Sequence, residues 1–450
     1  MSVDLVNKYN TPVPRYTSYP SVPYWGETPP TQQEWAKQVY LTFQQHREIS
    51  LYIHLPYCES LCTYCGCNKH ITKNHAVELP YLQSVLREWQ LYVDILKEKP
   101  ILRELHLGGG TPTFFQPANL ELLIRGILEK AEVPQRHDFS FEAHPNSTTF
   151  EHLQTLRNLG FNRVSIGVQD FDEHILHIIN RFQTETEVEN VVRWSRELGY
   201  ESVNFDLIFG LPHQTPEHIY TTMQKVAALQ PERIAFYSYA HVPWVKPSQR
   251  AYSEDDLPQG QEKRALYELG RELLENIGYQ EIGMDHFALP KDALFKAMQA
   301  GTMHRNFMGY TPYFTGLSIG LGASAISDSW TAFAQNEKTI VAYRAAVDSG
   351  ELPIFKGYIL TEEDQILRQH ILNIMCRLGT SWYNENEQCE ALFEGLKRLE
   401  ALEEDGLVIL HPFEINVTEA GRPFIRNICM MLDAQYWRRQ PAGKLFSQAV

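Results

Sequence analysis

The chain of 450 residues has no apolar run long enough to cross a bilayer. Its low-charge stretch Thr315 to Ser327 (TGLSIGLGASAIS) is too short and too rich in glycine and serine. The opening MSVDLVNKYN lacks a basic region followed by an apolar stretch, so no signal peptide is visible. There is no low-complexity segment and no internal repeat, and a content of 43% hydrophobic and 21% charged residues excludes a disordered, collagenous or fibrous chain. Clustered cations are missing too. Forty Lys and Arg against 55 Asp and Glu give a net charge of −15, and the basic residues are scattered, with nothing larger than pairs such as Arg438-Arg439. A general nucleic-acid binder needs clustered cations to neutralise phosphates, so that class is disfavoured. What is left is the expectation of a soluble, cytoplasmic, core-burying protein. The length suits two or three domains, or one large barrel with appendages.

Cysteine is sparse except in one place. Of seven, Cys376, Cys389 and Cys429 are isolated, while Cys58, Cys62, Cys65 and Cys67 fall within ten residues. A disulfide framework would spread them along the chain. Clustered thiols in a cytoplasmic chain point to metal binding or redox chemistry.

From about 50 to 240, short β-rich runs alternate with helical patterns. The candidate strands are Ser50–Leu55, Leu102–Leu107, Asp138–Ala143, Arg163–Val168, Ser202–Phe209 and Arg233–Tyr239. Between them lie the candidate helices Glu78–Lys97, Asn119–Lys130, Thr149–Leu159, Thr186–Leu198 and Pro216–Leu229. Such alternation implies right-handed βαβ units and a parallel sheet, here an α/β (β/α)6 partial barrel. Functional groups of such barrels sit at the carboxyl ends of the strands. Those ends carry the cysteine cluster, Gly108-Gly109-Gly110-Thr111, Glu142-Ala143-His144-Pro145, Gln169-Asp170, Gly210-Leu211-Pro212 and Tyr239-Ala240-His241. The expected organisation is an extension over 1–49 that could act as a lid, a barrel with accessory elements over 50–330, and a helix-rich domain over 331–450. The last of these ends in a helix, hairpin and helix resembling a winged-helix arrangement.

Cys58-x3-Cys62-x2-Cys65 directly follows the first strand. Three thiolates can hold three irons of a [4Fe–4S] cube and leave the fourth iron open. A zinc reading would use Cys67 as well, but structural zinc sites pair two knuckles and no second knuckle exists. The glycines of GGGT let the backbone approach a ligand closely. Glu142, Gln169 and Asp206 lie on or just after strands, where they can hydrogen-bond ribose hydroxyls or an amino group. Arg181 could grip a carboxylate bidentately, or be an ordinary helix arginine. His54 lies two residues after Tyr52, so both face one side of the strand.

The strand followed by CxxxCxφC resembles the radical S-adenosylmethionine superfamily. Within it, YIHLPYCESLCTYCGCNK, RYTSYP, LGGGTPT, GVQDF, DLIFGLP, GMDHFA, HRNFMGYT and RNICM resemble the oxygen-independent coproporphyrinogen III oxidases, in that family's order from Pro14 to Met430. The resemblance implies that Cys58, Cys62 and Cys65 ligate a [4Fe–4S] cluster with S-adenosylmethionine on the fourth iron. It further implies cofactor contacts by Tyr52, Tyr64, Gly109, Gly110, Thr111, Glu142, Gln169, Arg181, Asp206, Ala240 and Ile326, shared between two S-adenosylmethionine molecules. It suggests a role for Cys67 near the second molecule and marks His286 and His304 as motif residues. The implied reaction is oxidative decarboxylation of coproporphyrinogen III to protoporphyrinogen IX without oxygen, fed by an electron donor such as flavodoxin or ferredoxin, in a monomeric enzyme. His144 departs from the family, where an acidic residue is common, and Ala323 replaces a common valine. Three other readings were open: a related radical enzyme acting on haem, a haem chaperone, and a winged-helix iron–sulfur regulator. Cys67, RYTSYP and HRNFMGYT speak against the chaperone, and the acidic charge against the regulator.

Overall fold

A computed structural model describes residues 3–439 and 445–448. All six expected strands form, within one or two residues of their sequence limits. They are β1 (Glu48–Leu55), β2 (Ile101–Gly109), β3 (Asp138–Ala143), β4 (Arg163–Gln169), β5 (Ser202–Phe209) and β6 (Arg233–Ser238). The helices are α1 (Glu78–Leu96), α2 (Pro117–Leu128), α3 (Phe150–Asn158), α4 (Glu185–Glu197) and α5 (Pro216–Leu229). Caps set several of their starts. Thr149 and Thr184 each accept a bond from the backbone three residues on, while the side chain there reaches back.

β1 to β6 pair in parallel and in order. A seventh parallel strand, β7 (Leu317–Leu321), lies against β1 on its other side, with Tyr52 opposite Gly320. It comes from the glycine-rich run that the sequence marked only as poor in charge. Antiparallel strands extend both edges to make a sheet of twelve. Ile326–Asp328, Ala332–Asn336 and Ile354–Ile359 continue from β7; His286–Ala288 and Gln280–Gly283 continue from β6. The sheet therefore runs through the division expected at 330/331, because the strands on either side of it hydrogen-bond to one another.

The parallel strands alternate in character. Leu51, Ile53, Leu105, Leu107, Phe139, Phe141, Ile166 and Phe205 point outward and are fully buried under the helices. Each such side chain contributes about 2 kcal/mol through removal from water. The intervening residues point into the barrel, and most are polar or charged: Ser50, Glu104, His106, Asp138, Ser140, Arg163, Ser165, Asn204, Asp206 and Arg233.

A second core joins the two ends of the chain. Val6, Tyr9, Val13, Tyr16 and Tyr19 pack with Leu367, Ile371, Trp382, Leu399, Phe424 and Ile428. The expected helix, hairpin and helix are present as Glu390–Glu404, Val408–His411 with Glu414–Val417, and Ile425–Met431. The extension is thus seated on the helical region rather than draped on the barrel alone. Arg305 and Arg426 hold its backbone by donating to the carbonyls of Arg15, Tyr16, Val13 and Pro14.

Candidate active site

The barrel opens at the carboxyl ends of its strands into a cavity of about 520 Å³. Cys58, Cys62, Tyr64, Cys65 and Cys67 line it, facing Gly109, Gly110, Thr111, Glu142, Gln169, Arg181 and Asp206. Twelve residues singled out from six separate stretches of sequence are thereby brought to one place. The sharp turn after β2 makes this approach close. Gly109 has φ +112°, and a Cβ there would lie 2.5 Å from the His54 ring. At Gly110 a Cβ would meet the Pro56 backbone at 2.6 Å. No larger residue fits either position without moving β1.

Around the thiols the polar groups are directed. Thr111 Oγ1 donates to Cys58 Sγ at 3.3 Å, and Arg181 Nη1 reaches Cys62 Sγ at 3.8 Å and Tyr64 OH at 3.3 Å. A further Arg181 nitrogen donates to the Gly167 carbonyl. Burial pushes the Cys58 thiol up to about 11 and raises that of Cys62. A hydrogen bond from Cys67 lowers the Cys65 thiol. Among the described residues, no three His, Cys, Asp or Glu side chains are gathered closely enough to hold one metal ion. A cluster asks for something different: one thiolate on each of three irons. Three thiols on one short loop, wetted by a hydroxyl and a guanidinium and opening on a large cavity, fit that requirement.

Glu142 receives the Gly109 N–H at 3.1 Å, and its carboxylate is 42% open toward the cavity. Asp206 lies deeper, bonded by Ser165 and Asn204, and burial followed by the Glu142 charge raises its carboxyl to about 7. Tyr52 and His54 sit beneath the glycine turn rather than on the cavity wall. Tyr52 stacks on His106 at 6.0 Å and its OH is 3.1 Å from His54 Nδ1, while His54 Nε2 is 2.8 Å from the Asn68 carbonyl. Ala240 is tied to the cysteine loop by Gln249, which donates to the carbonyls of both Ala240 and Tyr64 at 3.1 Å. Ile326 lies on the strand beyond β7, among Trp25, Phe307 and Phe333.

The two motif histidines separate. His286 lines a smaller inner chamber of about 180 Å³, with Tyr237 OH 3.4 Å from its Nε2; burial brings it down to about 4. His304 lines neither cavity. Its ring packs edge-on to Phe314 at 5.0 Å, and burial with Arg368 nearby brings it down to about 3. Lining residues that the sequence does not single out include Tyr237, Phe182, Asn146, Ser147, Phe114 and Lys73. For Tyr237 the signal was there, since Arg233, Ala235 and Tyr237 follow the two-residue period of an inward face.

A family profile described as the Radical SAM superfamily matches residues 52–226, the segment that builds β1 to β5 and the cysteine loop. Fold and cavity thus define a radical SAM protein. Over its whole length the chain is similar to curated proteins named oxygen-independent coproporphyrinogen III oxidase. It is 37% identical to that of Pseudomonas aeruginosa, covering 96% of this chain and 95% of the relative. It is also 37% identical to that of Escherichia coli, covering 99% and 98%. The solved structure of the Escherichia coli coproporphyrinogen III oxidase, described as a radical SAM enzyme, superposes with a TM-score of 0.89 over 96% of this chain and 98% of that one. The chain belongs to the oxygen-independent coproporphyrinogen III oxidase family.

Proposed function

We propose that the protein converts coproporphyrinogen III to protoporphyrinogen IX by oxidative decarboxylation of two propionate side chains, as an oxygen-independent step of haem biosynthesis. The observation that carries this reading is the thiol-lined cavity at the mouth of the barrel, in a chain matched end to end by the family. When bound in this cavity, the cluster and S-adenosylmethionine would supply one-electron chemistry able to remove a hydrogen atom from the β-carbon of a propionate. Conversion to a vinyl group would then require loss of carbon dioxide and transfer of one electron to a separate electron acceptor. No general acid or base is required.

The residues of the chain bind, orient and exclude water. Cys58, Cys62 and Cys65 take one iron each. Glu142 and the GGGT backbone, which face the thiols across the cavity, would hold an S-adenosylmethionine. Gln169, Arg181 and Asp206 would serve this molecule and a second one, with Tyr64 and Thr111 completing the contacts. Tyr52, Ala240 and Ile326, which lie off the cavity wall, are read as contacts on the family resemblance alone. We further read the enzyme as a cytoplasmic monomer whose cluster is reduced by a flavodoxin or ferredoxin. No helix among the described residues is long and apolar enough to cross a membrane.

The test is anaerobic reconstitution with iron and sulfide, then dithionite, S-adenosylmethionine and coproporphyrinogen III, followed by mass. Stepwise loss of two carboxyl groups with formation of 5′-deoxyadenosine is expected. Formation of 5′-deoxyadenosine beside an untouched porphyrinogen would overturn the substrate assignment.

A further inference from the structure

Cations scattered in the sequence converge beside the cysteine loop. Three stretches carry lysine or arginine and no carboxylate: Ser60–Val77 with Lys69 and Lys73, Lys338–Val347 with Lys338 and Arg344, and Leu352–Thr361 with Lys356. Contacts join them. Asn68 Nδ2 donates to the Lys338 carbonyl at 2.8 Å, and Lys338 Nζ stands 5.1 Å from the centre of the Phe355 ring. Lys338 is also near enough to Lys356 for its charge to act with burial in lowering that pKa. The helix α6 (Ile340–Asp348) brings Arg344 within electrostatic reach of Tyr57. Tyr57 and Cys58 pair with His70 and Ile71.

None of these cations is neutralised locally. Lys69 Nζ donates to the Cys65 carbonyl at 3.1 Å and Lys356 Nζ to the Val22 carbonyl at 2.9 Å. Among the described residues, lysine ion pairs occur at Lys8, Lys225 and Lys291. The Nε of Arg344 is buried without a hydrogen-bond partner. Large apolar side chains stand among the charges: Ile71 is 40% exposed, Phe355 44% and Val341 80%, the highest value for a large hydrophobic side chain among the described residues. Val341 and Arg344 lie one turn apart on the same face of α6.

Carboxylates flank the stretches at Glu337, Asp348 and Glu351, and Lys69 and Lys73 also line the cavity. Lys338, Lys356 and Arg344 nevertheless form no ion pair among the described residues, Asp348 being paired with Arg87, and an apolar centre among unpaired cations suits a transient docking surface. Its position limits the partner. Cys58 lies on the strand paired with Ile71, and Lys69 is bonded to Cys65, so two of the three thiols are directly behind this face. Electron transfer weakens steeply with distance, so a reductant has to dock close to the thiols, as a partner on this face would. A chain of net charge −15 repels an acidic partner on average, and a local positive face would both attract and orient it.

We propose that the face centred on Val341, Lys338 and Lys356 docks a small acidic one-electron carrier protein that reduces the cluster held by Cys58, Cys62 and Cys65. This rests on the cluster assigned above. In each encounter the reduced carrier gives up one electron and the cluster gains it; no bond forms and no proton moves.

The test uses reconstituted holoenzyme and flavodoxin as the probe, comparing Lys338→Glu/Lys356→Glu with Lys397→Glu, a reversal on the distant C-terminal helix. Flavodoxin binding and flavodoxin-driven cluster reduction are measured at low and physiological salt, and dithionite-driven turnover in parallel. The double variant should bind weakly and be reduced about tenfold more slowly or worse, with little remaining salt dependence and unchanged dithionite turnover. Val341→Asp should weaken binding while keeping the salt dependence. Equal behaviour of the double variant and Lys397→Glu overturns the proposal. So does a raised KM for coproporphyrinogen III in the dithionite assay, which would mean that the face gathers substrate. If dithionite yields no turnover even in the wild type, the functional reading fails, and the binding curves still decide the docking face.

Discussion

The two ends of the barrel interior are built from the same residue types and used in opposite ways. At the amino ends of the strands the charges satisfy one another. Arg233 pairs with Asp292 at 2.8 Å, with side chains 8% and 2% exposed, and Arg163 pairs with Asp138 at 3.1 Å. Glu104 accepts from Ser50 at 2.5 Å and also from Thr311. At the carboxyl ends Glu142 is partly open, Arg181 points at a sulfur, and the thiols face the cavity. A buried charge that has found its counter-charge is part of the framework. One that is turned toward empty space and thiols is kept for a ligand. The strands alone do not distinguish these roles; the partners do.

The comparison can be broken from either end. Cys58→Ala, Cys62→Ala or Cys65→Ala should abolish cluster assembly, read as iron and sulfide content, and bring turnover below detection while the fold survives. At the other end, Arg233→Met leaves Asp292 charged and buried, and should cost roughly 3–5 kcal/mol of stability in a denaturant titration. Activity per folded molecule should change little. Glu142→Gln removes a charged acceptor and should raise the KM for S-adenosylmethionine about 10- to 100-fold with stability unaltered. If Glu142→Gln destabilised the protein and Arg233→Met spared it, the division of roles would be wrong.

The smallest effect concerns pH. Burial, followed by the Asp138 charge, raises the Glu104 carboxyl to about 7. The folded state therefore holds a proton that the unfolded chain releases at lower pH. The contribution of Glu104 is complete below about pH 4 and is lost as pH rises through about 7. Glu104→Gln should remove that dependence, stabilising the protein at pH 8 relative to wild type by roughly 1–3 kcal/mol and leaving pH 4 nearly unchanged. Denaturation midpoints at the two pH values check this.

Much of the molecule could be read from the chain because its signals are local. The six strands and five helices announce themselves through periods of two and of three to four residues, and their observed limits differ by a residue or two. The cysteine loop and the GGGT turn were legible because few other residue types tolerate those positions. What escaped depends on distant partners. β7 is a strand because it pairs with β1, which lies far away in sequence, and Gly320 within it and Gly316 and Gly322 beside it argue against one. The continuation of the sheet past 330 is hidden for the same reason. The framework charges Asp138, Arg163 and Arg233 resemble any polar strand residues until their ion pairs are seen. Tyr237 is marked only by the inward two-residue period of β6 and by no motif at a strand end.

The second core has a consequence for how the chain comes into being. Val13 N–H donates to the Ser447 carbonyl at 3.1 Å, and Tyr16 OH to Asp433 at 3.1 Å, so a segment synthesised before the barrel is completed by one synthesised after it. On a ribosome adding roughly 5–20 residues per second, β1 to β7 can assemble while the opening segment still waits for the residues that will bury its tyrosines. During that interval the cysteine loop is already formed but the chain's own beginning has not yet settled beside the barrel. A clipped C-terminus would extend the interval indefinitely, loosening a segment at the opposite end of the sequence.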